Sequence, residues 1–184
     1  MDRERIDLML NALKTLNYEA YLATKFMFLT ATRVTATLKA LIINISEFEK
    51  YADITIYDKG IREKYPEGHE WHKYVKCSYY YDELKPFTEL RTGTIFKISK
   101  DKLTKLNKDI ITSFCPELIE KYGKLNWNHF WRHMFAQHML RKTGWNYAVV
   151  AFLGGWTVQA LQESYGKPTE GLASCSLRGF SPLE

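Results

Sequence analysis

The sequence predicts a mainly α-helical domain with a small antiparallel β-sheet. Two observations predict the class. Apolar residues recur at intervals of three and four towards both ends of the chain, which places them on one face of a helix. Between those regions lies a stretch rich in β-branched and aromatic residues, interrupted by Pro66 and Gly68, which reads as a hairpin.

Residues 3–17 form the first expected helix, with Ile6, Met9, Leu10, Leu13 and Leu16 as its apolar stripe. A second, over 18–30, carries Tyr18, Leu22, Phe26 and Leu29. A third follows Arg33, with Leu38, Leu41 and Ile42 on one face. Ile54, Ile56 and Tyr57 then mark a strand, and residues 74–81 a second one, so that the hairpin occupies about 53–81. Ser99 is the expected N-cap of a helix through Leu103, Leu106 and Ile110. Pro116 opens a short helix to Tyr122, because a first turn tolerates a missing N–H. Asn126 or Asn128 caps the next helix, which runs to Lys142 and stops at Gly144. Asn146 caps another, ending at Gly154 and Gly155, and Thr157 caps the last, ending near Tyr165. A polar tail, 167–184, completes what reads as a single domain over 1–184.

The 184 residues suffice for one domain with a real core, and 46% hydrophobic with 26% charged residues is an ordinary globular balance. No apolar run is long enough for a membrane span, and the charged start MDRERID has no secretory core. Cys77, Cys115 and Cys175 are scattered and odd in number, which fits a reducing, intracellular setting better than a disulfide framework. Lys and Arg outnumber Asp and Glu by 26 to 21, an excess that permits a nucleic-acid partner without demanding one.

The densest chemistry is His129-Phe130-Trp131-Arg132-His133. His129 and Arg132 are three apart on an expected helix and share a face. A phosphodiester under attack gains charge on its non-bridging oxygens; Arg offers those oxygens a planar fork of donors, and His hydrogen-bonds or moves a proton beside it. An isolated H-x-x-R is more often a solvated helix face. Arg33 sits where a helix starts, an arrangement that favours anions, although a surface Arg reads the same way. Leu153-Gly154-Gly155-Trp156 precedes Tyr165, a phenol that needs cationic neighbours or a base before it can act as nucleophile. Among twelve tyrosines, Tyr165 taken alone has no better claim than Tyr147. His69, His72 and Cys77 form a partial metal set with no clear fourth ligand, so no metal is expected.

In order and spacing these pieces resemble the tyrosine recombinase (phage-type integrase) family over about residues 5–166. Residues 30–41 resemble the family's first box, usually T-G-L-R followed by a helix. HFWRHMFAQHML, 129–140, is very similar to the second box, H-x-L-R-H-x-F-A-x-H, and LGGWTVQALQESY, 153–165, resembles the third. Many members have L-G-H in the third box. Here Gly155 follows Leu153-Gly154, while Trp156 matches the family His/Trp position by distance from the tyrosine. Within that resemblance, the lysine-rich, cysteine-poor composition suggests an archaeal virus or plasmid integrase.

The resemblance implies the tyrosine recombinase catalytic-domain fold, and a site-specific DNA recombinase that cleaves and rejoins strands through a 3′-phosphotyrosine. Arg33 and Arg132 would clamp the scissile phosphate, His129 would hydrogen-bond it and assist proton transfer, Trp156 would donate its N–H or buttress the site, and Tyr165 would attack. A lysine on the hairpin would protonate the leaving 5′-oxygen. Lys59 fits when counted from Arg33, Lys73 fits when counted from the second strand and is favoured, and Lys64 lies between. The resemblance implies no cofactor. The partners it implies are double-stranded DNA and, on DNA, a homotetramer in which the tail 167–184 docks on a neighbour. The family's separate N-terminal DNA-clamp domain has no counterpart in these 184 residues. The other readings are a type IB topoisomerase-like enzyme and a non-catalytic DNA-binding module of the same fold.

Overall fold

The computed structural model describes residues 3–46, 51–58, 69–76, 82–83, 93–122 and 127–166. Helices α1 (Arg3–Leu16) and α2 (Tyr18–Thr30) form a hairpin broken at Asn17, whose side chain accepts a hydrogen bond from the Ala20 N–H. Ile6, Met9, Leu10 and Leu13 of α1 are buried, whereas Leu16 ends the stripe in solvent. α2 is apolar nearly all round, and Leu22, Phe26 and Met27 are fully enclosed at the centre of the main core.

The short helix α3 (Val34–Thr37) and strand β1 (Leu41–Ser46) occupy the place of the expected third helix. The spacing of Leu38, Leu41 and Ile42 fits a helix, but the run Ile42, Ile43, Ile45 is β-branched, and such side chains crowd a helix and suit a pleated strand. β2 (Tyr51–Asp58) pairs antiparallel with β1 on one side and with β3 (His69–Lys76) on the other, in the order β1-β2-β3. β3 thus starts five residues before the expected 74–81. Its register sets Lys73 opposite Ile54 and His72 opposite Thr55. Lys59, Lys64, Cys77 and the tail 167–184 lie outside the described residues, as do the side chains of Lys73, His69 and His72.

Helix α4 (Lys100–Phe114) starts at Ser99, whose hydroxyl accepts from the Lys102 N–H, and α5 (Pro116–Tyr122) opens on its proline. Helix α6 (Trp127–Lys142) runs through the molecule, with Phe130, Trp131, Arg132, Met134, Phe135 and Ala136 buried. Asn128 is not its cap but a buried residue of its first turn. Its amide donates to Thr104 at 2.7 Å and accepts from Asn107 at 3.4 Å. Asn107 in turn accepts from Trp131 Nε1 at 2.9 Å and from Thr24 at 3.1 Å, so buried polar groups join α2, α4 and α6. Helices α7 (Tyr147–Gly154) and α8 (Val158–Tyr165) complete the described chain, capped by Asn146 and Thr157. They close a second, smaller core of Ala31, Phe135, Ala136, Leu140, Tyr147, Val150, Ala151 and Leu161. Among the described residues no helix is long and apolar enough to cross a membrane.

Candidate functional site

The site grows out of the second core, at the middle of α6. Arg132 points inward and is only 5% exposed. A buried guanidinium needs hydrogen-bond acceptors, and its Nη1 donates to the carbonyl oxygen of Ala31. That carbonyl is presented by the turn that ends α2, where Ala31 takes the left-handed conformation (φ 57°). A non-glycine residue adopts that conformation at a cost of roughly 1–2 kcal/mol, which packing and the Arg132 bond must offset. Arg33 follows two residues later as the N-cap residue of α3, half-buried and extended (φ −70°, ψ 151°). The expected help from a helix dipole at Arg33 is small, because α3 has four residues.

Trp156 covers Arg132 from the other side. The Arg132 Cζ lies 3.9 Å from the indole centroid, and Phe135, three residues along α6, stacks on the same indole at 6.4 Å and 25°. The two glycines before the tryptophan do different work. At Gly154 a Cβ would overlap the indole Cζ3 and Cε3, so only glycine admits the ring there. Gly155 makes the left-handed turn (φ 67°) that ends α7 and has nothing within 4 Å of a Cβ. The side chain beside Arg132 is therefore that of Trp156, and Gly155 is a turn residue.

Tyr165 closes the last turn of α8, half-buried at the edge of the same cluster. Its hydroxyl is hydrogen-bonded to Nδ1 of His133, with ring centroids 5.7 Å apart. Burial pushes the Tyr165 phenol up to about 12, opposed by the nearby Arg132 charge. Burial, and then the same arginine, hold His133 below the usual histidine range. Tyr147 is set apart from Tyr165 by its role: its hydroxyl donates to the carbonyl of Gly166, tying down the chain just beyond Tyr165.

The cluster thus joins Arg132, Trp156 and Tyr165, with Arg33 on the turn that Arg132 holds. His129 is half-buried one turn before Arg132 on α6. Reasoning from sequence misses His133 as a member. Its signal is present in the H-x-x-R-H string, where the residue after the arginine is displaced by about 100° around the helix and so faces α8 rather than Ala31. Chemically, the arrangement sets a fixed cation beside a phenol whose hydroxyl is already hydrogen-bonded to an imidazole.

No protein-family model matches the chain, and no curated protein matches it in sequence. Among solved structures it is similar to the XerH site-specific recombinase bound to a palindromic difH substrate in a post-cleavage complex. The TM-score is 0.71 and the identity 16%, over 96% of this chain and 52% of that one. The pre-cleavage complex of XerH with difH gives a TM-score of 0.68 and 18% identity, over 95% of this chain and 52% of that one. The chain therefore shares the fold of this recombinase and spans about half its length.

Proposed function

We propose that this chain is the catalytic domain of a tyrosine-type site-specific recombinase, a mainly helical domain with a small sheet that cleaves and rejoins double-stranded DNA. The observation that carries the reading is the convergence of Arg132 from α6, Trp156 from the α7–α8 turn and Tyr165 from the end of α8, in a fold shared with a DNA recombinase. In this reading Arg33 and Arg132 bind the non-bridging oxygens of the scissile phosphate and stabilise the charge that builds there. His129 hydrogen-bonds the same group. Trp156 holds the Arg132 fork in plane. Tyr165 attacks phosphorus to give a 3′-phosphotyrosine and a free 5′-hydroxyl, and the reverse attack by a 5′-hydroxyl reseals the strand. The bond energy is kept in the covalent link, so the reaction consumes neither ATP nor metal. Lys73, Lys59 or Lys64 protonates the leaving oxygen. On DNA four copies assemble, and a lone domain binds weakly and with strong salt dependence.

A nicked suicide duplex with a randomised stretch tests the proposal. It is incubated in EDTA with the wild-type chain and with Tyr165→Phe, and resolved on a denaturing gel. A covalent adduct in the wild type that the variant does not form is the expected result. DNA binding with no adduct on any duplex would leave a binding module of the same fold, and an adduct that survives in Tyr165→Phe would remove Tyr165 from the mechanism.

A further inference from the structure

We infer that His133 is the group that takes the Tyr165 proton, its Nδ1 accepting the phenol hydrogen as the tyrosine oxygen attacks. This rests on the reading of Tyr165 as the nucleophile. It assigns a catalytic role to a residue outside the Arg33, His129, Arg132, Trp156 and Tyr165 set.

The geometry is the first support. His133 Nδ1 and the Tyr165 hydroxyl are in direct hydrogen-bond contact. The chemistry is the second. A phenol raised by burial carries almost no phenolate at neutral pH, so attack needs a proton acceptor at the moment the bond forms. His133 is held below its ordinary range, so at pH 7 the ring is neutral and has a lone pair to offer; with Nδ1 accepting, Nε2 carries the hydrogen. The groups that bear on its charge are Arg132 on its own helix and Tyr165 from α8. In the free protein Arg132 disfavours an imidazolium. A phosphodiester seated on Arg132 brings a negative charge that offsets this field, so the base strengthens when DNA is in place.

The step balances. The phenol O–H bond breaks and its hydrogen forms an N–H bond at His133. The oxygen lone pair forms the O–P bond, the P–O5′ bond breaks, and the departing oxygen keeps that pair and takes a proton from a lysine ammonium or water. In resealing, a 5′-hydroxyl oxygen bonds phosphorus and returns its proton to the lysine or water, while the phenolate leaves phosphorus and recovers its proton from His133.

The test follows single-turnover adduct formation on the randomised nicked duplex against pH, for wild type, His133→Ala and His133→Gln, with and without added imidazole. His133 reaches solvent on one side while its ring is partly covered by Tyr165 on the other, so the alanine variant leaves an opening that imidazole can enter. The expected wild-type rate is flat near neutral pH and falls in acid. Both variants should be slower by about 100-fold or more at pH 7. Their rates should climb steadily with pH, and imidazole should restore the alanine variant in proportion to its concentration. His133→Gln keeps a hydrogen-bond partner for the phenol, so its slowness separates proton transfer from positioning. An adduct formed as fast as wild type, or faster, by either variant would overturn the role while leaving strand transfer intact. So would a slow alanine variant that imidazole does not rescue. No wild-type adduct at all would remove the strand-transfer reading, and this role with it.

Discussion

The Arg132 guanidinium lies between the Ala31 carbonyl and the Trp156 indole, bonded to the first and 3.9 Å from the centroid of the second. One side chain thus ties the turn that carries Arg33 to the turn that precedes α8. A lysine has neither the planar fork for the carbonyl nor the flat face for the ring. Arg132→Lys should therefore slow adduct formation by about 100-fold or more, in line with loss of a transition-state donor worth roughly 3–4 kcal/mol. Removing Trp156 should cost less. Trp156→Ala is expected to lose roughly 0.5–2 kcal/mol of stability at this contact, and Trp156→Phe to keep most of it. Urea unfolding and adduct rates on the same samples check both, and equal rates for Arg132→Lys and wild type would show that the fork is not used.

The two adjacent glycines allow a sharper comparison. Gly154→Ala pushes a methyl into the space the indole Cζ3 occupies, so Trp156 must leave its place over Arg132. Gly155→Ala meets open space and only strains a left-handed backbone (φ 67°), at a cost of about 1 kcal/mol. Gly154→Ala should shift tryptophan fluorescence and slow adduct formation about as much as Trp156→Ala does. Gly155→Ala should lower the unfolding midpoint slightly and leave the adduct. The reverse ranking would mean that Trp156 is not held where the indole now packs.

The helices at both ends of the chain are legible in the sequence because their signals are local. Ser99, Asn146 and Thr157 cap where their types and positions require, and the apolar intervals mark buried faces. β1 is hidden because the intervals of Leu38, Leu41 and Ile42 also fit a helix, and the β-branched run outweighs them. In the site, Arg132, Trp156 and Tyr165 can be named from their order along the chain. Their partners cannot. The Ala31 carbonyl belongs to the backbone, and the His133 contact with Tyr165 depends on how α8 returns to α6. The first leaves no mark on residue types, and the second leaves only the His133 of the H-x-x-R-H string, with nothing to say that Tyr165 is its partner.

Asn107 shows how a residue remote from Tyr165 sets the position of α6. Its fully buried amide receives Trp131 Nε1 and the Thr24 hydroxyl, and donates to Asn128. Asn107→Leu fills similar volume but strands two buried donors, each worth roughly 1–3 kcal/mol when unsatisfied. The expected outcome is a loss of about 2–4 kcal/mol in urea unfolding. A loss below roughly 0.5 kcal/mol, the range of an ordinary surface change, would mean that water or repacking satisfies the donors.

Glu83 gives the fold a dependence on acid. Burial raises its carboxyl, but hydrogen bonds from Lys25, Tyr21 and Lys14 outweigh burial and leave it below the usual carboxylate value of 4.5. The Tyr21 hydroxyl bonds both carboxylate oxygens at 2.8 Å, and Lys14 reaches one at 3.0 Å. A carboxyl lowered on folding binds fewer protons folded than unfolded, so its contribution is complete above the unfolded value and fades as pH falls through the folded one. Wild type should therefore exceed Glu83→Gln in urea midpoint by a constant margin from pH 7 down to about 5. The margin should shrink below the usual carboxylate value of 4.5 as Glu83 takes up its proton. A margin that persists unchanged at about pH 3 would mean that the two side chains differ in packing rather than charge, and that Lys14 and Lys25 hold this carboxyl no more strongly than water does.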